Sequence, residues 1–168
     1  MKLRFLVPAL LAGCVLIFSS GCAVMSKGRS QMVVVRSTPE GATGLINGIE
    51  VGQTPFKIEL NRSSAYTIEL RKAGFENAAA VILPVANEYE KRFFRWGIDY
   101  ELGAMTDLTP EDLVVDLKPV MSTASTSGDR FQEMTYRVLQ ADALLAAKEI
   151  SPADHKYMVD QIVKFYTN

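Results

Sequence analysis

Between residues 31 and 83 short apolar runs alternate with turn residues, and this pattern constrains the fold more than any other feature of the chain. Met32–Val35 is apolar and mostly β-branched, Phe56–Leu60 alternates between apolar and charged residues, and Tyr66–Arg71 alternates again. An alternation with a period of two sends successive side chains to opposite faces of a strand, which is typical of a half-buried sheet. Because turn signals follow each other closely, we expect a small antiparallel β-sandwich.

The turn residues set the expected strand boundaries. Asn47-Gly48 predicts a type I′ hairpin, because both central positions of that turn need a positive φ. Ser37–Gly41 and Asn61–Ser64 are two further turns. In the strand after the second of these turns, we expect three side chains to face inward: Tyr66, Ile68 and Leu70.

Two more strands complete the predicted β domain, which covers residues 31–120. Ala78–Leu83 is apolar, and we expect Pro84 to end its pairing because proline has no N–H to donate. Leu113–Leu117 supplies the last strand.

Four motifs in this region resemble those of the PEGA domain. The Pro-Glu-Gly-Ala turn that names the family is present at Pro39–Ala42, and it is followed by Ile46–Gly48, Val51–Pro55 and Arg71–Phe75. The resemblance covers about residues 31–83. It implies a compact β-sandwich, found in surface and envelope proteins, without catalytic residues. The expected fold class is therefore mainly β: a small antiparallel PEGA-like β-sandwich, followed by a flexible linker and a C-terminal α-helical hairpin.

The linker and the hairpin are predicted from composition and periodicity. Residues 121–128 are rich in Ser and Thr and uncharged, which is typical of a flexible linker. Residues 129–168 form the predicted hairpin. Its first helix, Arg130–Lys148, carries one apolar stripe, composed of Phe131, Met134, Val138, Ala141 and Leu145.

The second helix has clear start signals. Ser151 is a good N-cap, Pro152 fits the first helical position, and Asp154 suits the positive end of the helix dipole. The helix should run to about Tyr166 with an apolar face composed of Val159, Ile162, Val163 and Tyr166. Two short amphipathic helices bury little alone, so we expect them to pack on their own domain, on a second copy or on another protein. Leu144–Lys164 also resembles the short C-terminal helical motif called SHOCT, which implies oligomerisation.

The N-terminus has the pattern of an export signal. Lys2 and Arg4 precede the uncharged apolar run Phe5–Phe18, which is shorter than the roughly 20 residues that a membrane-spanning helix needs. Small residues then lead to Cys22, an arrangement that resembles the lipobox of bacterial lipoproteins. We expect residues 1–21 to be the signal peptide and residues 22–30 to be a lipidated tether. Cleavage before Cys14, which follows a similar motif, is the alternative.

The lipoprotein resemblance implies a diacylglyceryl thioether on Cys22 and an acylated amine, for example with palmitate. Each buried CH₂ group contributes about 0.8 kcal/mol to membrane binding, so several acyl chains together anchor firmly. An aspartate directly after the lipidated cysteine resembles an inner-membrane retention signal, but this chain has Ala23 at that position. The expected location is therefore the outer membrane, facing the periplasm, with the cell surface as the alternative.

Aromatic and cationic residues alternate around residue 94. Phe93, Phe94 and Trp96 lie among Lys and Arg residues, and such a segment suits a membrane interface or a protein partner. The alternative is that these rings pack over an open end of the sandwich.

The sequence contains no recognisable catalytic constellation, metal site or cofactor motif. His155 is the single histidine of the chain, which excludes the usual zinc sites. A net charge of −1 gives no sign of nucleic-acid binding, which usually requires a basic face. We therefore expect a non-catalytic structural or interaction module of the cell envelope. The alternatives are an accessory subunit of an envelope transporter or enzyme complex, and a hydrolase that uses Asp99 and Glu101.

Overall fold

The structure is a computed structural model that describes residues 22–92, 98–120 and 129–167. These residues form eight strands and five helices. The strands are β1 (Ser30–Thr38), β2 (Thr43–Ile46), β3 (Ile49–Gln53), β4 (Phe56–Asn61), β5 (Tyr66–Arg71), β6 (Ala78–Ala86), β7 (Thr106–Thr109) and β8 (Asp112–Asp116). The helices are α1 (Cys22–Lys27), α2 (Glu88–Arg92), α3 (Ile98–Glu101), α4 (Arg130–Ala146) and α5 (Pro152–Thr167).

The strands belong to two sheets. The smaller sheet has the order β4-β1-β8, and the larger one has the order β3-β2-β5-β6-β7. The helices α4 and α5 follow the last strand and contact each other. The mainly β fold class, with sandwich-like sheets and a C-terminal helical hairpin, is therefore confirmed.

The predicted hairpin at Asn47-Gly48 is confirmed. Both residues have a positive φ, 50° and 82°, as a type I′ turn requires, and they connect β2 to β3 in antiparallel pairing. The register shifts where Gly44 faces Gly52 and Leu45 faces Glu50, so one residue of β3 is bulged. Because β3 lies at the edge of its sheet, this bulge interrupts an edge that could otherwise pair with another chain.

The Pro-Glu-Gly-Ala turn is fixed by hydroxyl groups. The Ser37 hydroxyl donates to the carbonyl oxygen of Pro39, at 2.6 Å. Because its hydrogen is used there, the Ser37 oxygen accepts a hydrogen bond from the Thr54 hydroxyl, at 2.5 Å. The Thr54 oxygen also accepts a hydrogen bond from the Ala42 N–H, at 3.0 Å. These buried hydroxyls supplement the backbone hydrogen bonds that Thr54 forms with Gly41 and Ala42, which explains why Ser and Thr occupy the two positions.

The chain divides into two compact units. The first contains the described residues up to 34, residues 57–66 and residues 82–112; the second contains residues 35–56, residues 67–81 and the described residues from 113 onwards. The core of the first unit includes Val33, Leu60, Ile82, Ala104, Met105 and Leu108. The core of the second includes Val35, Ala42, Ile68, Leu70, Phe75, Leu117, Met158 and Ile162.

The inward face predicted for β5 is confirmed for two of its three residues. Ile68 and Leu70 are fully buried. Tyr66 is only half-buried, because its hydroxyl exchanges hydrogen bonds with the backbone N–H and carbonyl of Asn61.

Pro84 does not end the pairing of its strand, so that prediction is wrong. Strand β6 continues to Ala86, and Pro84 lies opposite Leu108 of β7 in antiparallel register. Its neighbours Leu83 and Val85 are paired as well, because the proline ring removes one N–H donor and leaves the rest of the ladder intact. Strand β7 itself was not predicted.

Residues 22–30, which we expected to be a tether, contain the helix α1 and the first residue of β1. The signal peptide predicted at 1–21, including Cys14, lies outside the described residues. The same is true of the linker predicted at 121–128.

The hairpin helices begin and end close to the predicted residues, but one residue in each predicted apolar stripe is exposed. On α4, Ala141 is buried and Met134, Val138 and Leu145 are half-buried, whereas Phe131 is 68% exposed. On α5, Ile162 and Tyr166 are buried, Val159 is half-buried and Val163 is exposed. Phe131 lies in the first turn of α4. The periodicity of the apolar side chains predicts which face of the helix is buried, but it does not show how far along the helix the contact with α5 extends.

Candidate functional site

Two regions of the described residues bear on function, and the first surrounds α1. This short helix begins at Cys22, the residue predicted to carry the lipid, and it contacts α3. The backbone N–H of Val24 donates to a carboxylate oxygen of Asp99, at 3.3 Å. Asp99 is buried, and its carboxylate accepts from one of the N–H groups that have no backbone partner in the first turn of α1.

Two more side chains of α1 bind other elements. The Tyr89 hydroxyl of α2 donates to the Ser26 hydroxyl, at 3.0 Å. The Lys27 ammonium lies 3.7 Å from a carboxylate oxygen of Asp107 in β7. The chain after Cys22 is therefore attached to its own unit at three points.

Asp107 belongs to a buried network around Arg62. The Arg62 side chain, only 10% exposed, forms an ion pair with Asp107 and donates to the Gln31 amide oxygen, at 2.7 Å. It also donates to the carbonyl oxygens of Ser30, at 3.0 Å, and Thr106, at 3.3 Å. One guanidinium thus connects the turn after β4 to β1 and β7, which is the fixed multi-donor geometry that arginine provides.

The amide of Gln31 completes this network. Its NH₂ group donates to the Leu108 carbonyl oxygen at 3.0 Å, and its oxygen accepts from the Leu108 N–H at 2.9 Å. Close beside it, Gly103 has a φ of +75°, and a Cβ at this position would lie 2.7 Å from the Ser63 backbone nitrogen. Only glycine fits this approach of two backbone segments.

Of the two acidic residues that suggested a hydrolase, Asp99 accepts from the backbone of α1 and Glu101 is exposed on α3. Among the residues that the structure describes, no group of three or more His, Cys, Asp or Glu side chains could hold a metal ion.

The second region is the contact between the hairpin and the turn at residues 72–75. The Lys72 ammonium lies 3.1 Å from a carboxylate oxygen of Asp154 and donates to the Glu40 carbonyl oxygen, at 2.7 Å. The two charged side chains are only 12% and 8% exposed. Lys72 therefore connects the Pro-Glu-Gly-Ala turn to the first turn of α5 through a buried ion pair.

Asp154 also completes the cap of α5. Its carboxylate accepts from the Ser151 hydroxyl, at 2.8 Å, and from the Ser151 N–H, at 3.1 Å, while its own N–H donates to the Ser151 hydroxyl, at 3.1 Å. This is a reciprocal capping box with aspartate in place of the usual glutamate. Burial alone would raise the pKa of Asp154, but the hydrogen bonds from Ser151 and the charge of Lys72 outweigh it and lower that pKa below its usual value.

Gly74 and Phe75 pack against both hairpin helices. Gly74 has a φ of +80°, and a Cβ there would lie 2.8 Å from a methyl carbon of Leu144 and 2.9 Å from the methyl carbon of Met158. The Phe75 ring lies 6.2 Å from the Tyr157 ring, centroid to centroid. Burial, together with the charge of Asp116, raises the pKa of Tyr157. The hairpin thus packs on its own domain at the 72–75 turn.

A cleft of about 490 Å³ lies beside this contact. It is lined by Gly74, Val120, Arg137, Gln140, Ala143, Leu144, Ala147, Glu149, Met158 and Ile162. On the outside of the hairpin, four large side chains remain at least half exposed: Phe131, Tyr136, Leu139 and Phe165.

The predicted site residues stand as follows. Cys22 is the first described residue and begins α1, and the predicted membrane-contact residues Phe93, Phe94 and Trp96 lie outside the described residues. His155 forms a hydrogen bond of 2.7 Å with Asp142 on the facing helix. Sequence reasoning missed the roles of Lys72 and Arg62, because their partners are distant in the chain; only the motif that contains Lys72 was noticed.

Comparison with known proteins identifies part of the chain. Residues 30–95 match the family model of the PEGA domain, which confirms the predicted PEGA domain and extends it beyond residue 83. No curated protein and no solved structure matches the chain. Strands β7 and β8, which follow the matched residues, complete the two sheets. No helix among the described residues is long and apolar enough to cross a membrane.

Proposed function

Given that residues 30–95 are a PEGA domain, we propose that this chain is a lipid-anchored, non-catalytic protein-interaction module of the bacterial cell envelope. The observation that carries this proposal is the hairpin. It is attached to the β domain through Lys72 and Asp154, and it still exposes large apolar side chains on its outer surface.

The anchor in this proposal is Cys22, with a diacylglyceryl group on its sulfur and an acyl group on its amine. The contacts of α1 with Asp99, Tyr89 and Asp107 support it, because they would hold the first unit close to the membrane that the acyl chains of Cys22 enter. The membrane is then the outer membrane, with the protein facing the periplasm. Phe93, Phe94 and Trp96 are proposed to contact the same membrane or a partner, since α2 and α3 on either side of them both contact α1.

The hairpin is the proposed docking element for a protein partner or a second copy. Phe131 is 68% and Leu139 is 59% exposed, although both lie on a helix whose other side packs against α5. Exposed aromatic and aliphatic side chains of this kind mark interaction surfaces when they are grouped. An accessory subunit of an envelope transporter or enzyme complex would use the same surface and would differ only in its partner.

Cross-linking in intact cells, followed by purification from detergent-solubilised membranes, tests the proposal. We compare the natural chain with Phe131→Gln/Leu139→Gln, with Lys156→Gln as a control at another exposed hairpin position. The double variant should lose its cross-linked partner, while the control keeps it, because glutamine retains helix propensity but removes apolar area. A partner that the double variant retains in full contradicts the role of the hairpin surface.

The anchor is tested separately. Cys22→Ser should release the protein from the membrane fraction, and mass spectrometry of the natural N-terminal peptide should find acylated Cys22. An unmodified thiol on a protein that is not membrane-bound would refute the proposed anchor.

A further inference from the structure

On the outer face of β6 in the first unit, apolar side chains are exposed among the residues that the structure describes. Leu83 and Val85 are 50% and 49% exposed, while Ile82, on the opposite face of β6, is fully buried. Leu83 lies opposite Thr109 and Val85 lies opposite Asp107 in the pairing with β7. Directly paired residues project from the same face of a sheet, so Leu83, Val85, Thr109 and Asp107 share one surface.

This surface is next to the anchor. In such a pair, the Cα atoms of Asp107 and Val85 lie about 5 Å apart. The Lys27 ammonium of α1 lies 3.7 Å from a carboxylate oxygen of Asp107. Since α1 rises about 1.5 Å per residue, Cys22 is only about 7.5 Å along the helix axis from Lys27. An acyl chain on Cys22 would therefore start one short helix away from the residue that contacts the end of β6 carrying Val85.

The polar groups on this surface are compatible with a lipid surface. The charge of Asp107 is compensated by both Arg62 and Lys27. Tyr100 on α3 is 46% exposed, and the preceding Asp99 holds α1. A tyrosine ring suits the membrane interface because it has an apolar body and a polar hydroxyl.

We propose that Leu83, Val85 and Tyr100 form a membrane-contact face, which lies against the bilayer in which Cys22 is anchored. The inference rests on the proposed anchor at Cys22 and goes beyond it, because it gives the orientation of the first unit on the membrane. The anchor keeps this face at a high effective concentration next to the lipid, so even two aliphatic side chains and one ring suffice for contact. Contact with lipid also covers an aliphatic strand face that would otherwise be open to water.

Spin labelling of the lipidated full-length protein tests this orientation. The lipid occupies the sulfur of Cys22, so Val85→Cys provides one free thiol for a nitroxide label on the mature chain. Met32→Cys on β1, which lies in the same unit but in the other sheet and where the methionine is 50% exposed, is the matched control. The protein is reconstituted into vesicles of phosphatidylethanolamine and phosphatidylglycerol, and each label is tested for collisions with a water-soluble nickel chelate.

The reference sample is the unlipidated Cys22→Ser protein in buffer without detergent. Compared with this reference, we expect binding to vesicles to lower the collision rate of the nickel chelate with the label at position 85 by about threefold or more, because a polar chelate is excluded from the lipid. The label at position 32 should change much less. Introducing Leu83→Thr and Tyr100→Ser next to the label at position 85 should restore collisions with the chelate, while flotation with the vesicles and the circular dichroism spectrum stay unchanged.

The outcomes separate the two proposals. If the protein floats with the vesicles but positions 85 and 32 respond alike, the membrane-contact face is refuted and the anchor stands. If the protein does not float and Cys22 is unmodified, both are refuted. If position 85 becomes protected only after membrane proteins are added, the face binds a protein partner and the lipid contact is refuted.

Discussion

The buried ion pair between Lys72 and Asp154 allows the attachment of the hairpin to be tested quantitatively. The charges lie 3.1 Å apart, so at an effective dielectric constant of about 20 their attraction is about 5 kcal/mol. Most of this attraction is offset by the cost of removing both groups from water. We therefore expect a net coupling of about 1–3 kcal/mol in a double-mutant cycle of Lys72→Met and Asp154→Asn.

The single variants should differ from each other. Lys72→Met leaves the buried Asp154 carboxylate without its cation and the Glu40 carbonyl without its donor, and we expect it to cost about 3 kcal/mol. Asp154→Asn should cost less, since the amide oxygen can still accept hydrogen bonds from Ser151.

Urea unfolding of the chain without its signal, with Cys22→Ser, supplies the free energies, and circular dichroism follows the helices. Glu69→Gln and Arg71→Met form the control cycle. Their side chains also make an ion pair, at 2.9 Å, but they are 36% and 53% exposed, so the coupling should be at most about 1 kcal/mol. Equal couplings in the two cycles would refute the reasoning that burial makes the pair between Lys72 and Asp154 important for the hairpin.

Three further predictions concern Gly103, Arg62 and Asp154. Gly103→Ala should destabilise the chain by about 1–3 kcal/mol more than Gly48→Ala. The two glycines have similar positive φ values, but only at Gly103 would a Cβ lie within 3 Å of a backbone atom. Urea unfolding of both variants measures the difference, and equal losses of stability would contradict the prediction. Arg62→Met should cost about 3–5 kcal/mol in the same assay and should expose the amides of β7 to hydrogen exchange; a loss below about 1 kcal/mol would contradict the role of the network. The stabilisation from Asp154 should be complete above its unfolded pKa, about 3.9, and should disappear as the pH falls through its lowered folded pKa. The difference in unfolding free energy between natural chain and Asp154→Asn should therefore shrink below about pH 4, and a difference that grows there would contradict the lowered pKa.

The strands and turns were predictable because their signals are local. The alternation in β4 and β5 and the positive φ values required at Asn47-Gly48 depend on a few adjacent residues. The capping box at Ser151 and Asp154 is equally local, so the start of α5 agrees with the prediction. The motifs of the PEGA domain are also short turns, and they were recognisable without any knowledge of contacts.

The errors concern features that depend on partners distant in the sequence. Strand β6 passes through Pro84 because β7 holds the flanking residues, and nothing near Pro84 predicts β7. The periodicity of α4 assigned Phe131 to the buried stripe, but burial there depends on where the contact with α5 ends. The contact between α1 and Asp99 was not predicted either, because Asp99 lies far along the chain.

The sequence by itself determined the mainly β domain, its turns and the two C-terminal helices, because period and turn chemistry act over a few residues. The tertiary structure alone decided which charges are buried and what they hold. Lys72 attaches the hairpin, while Arg62 and Asp99 secure the region around α1. Such contacts form only when the fold brings distant residues together and excludes water, and neither condition can be read from the order of the residues.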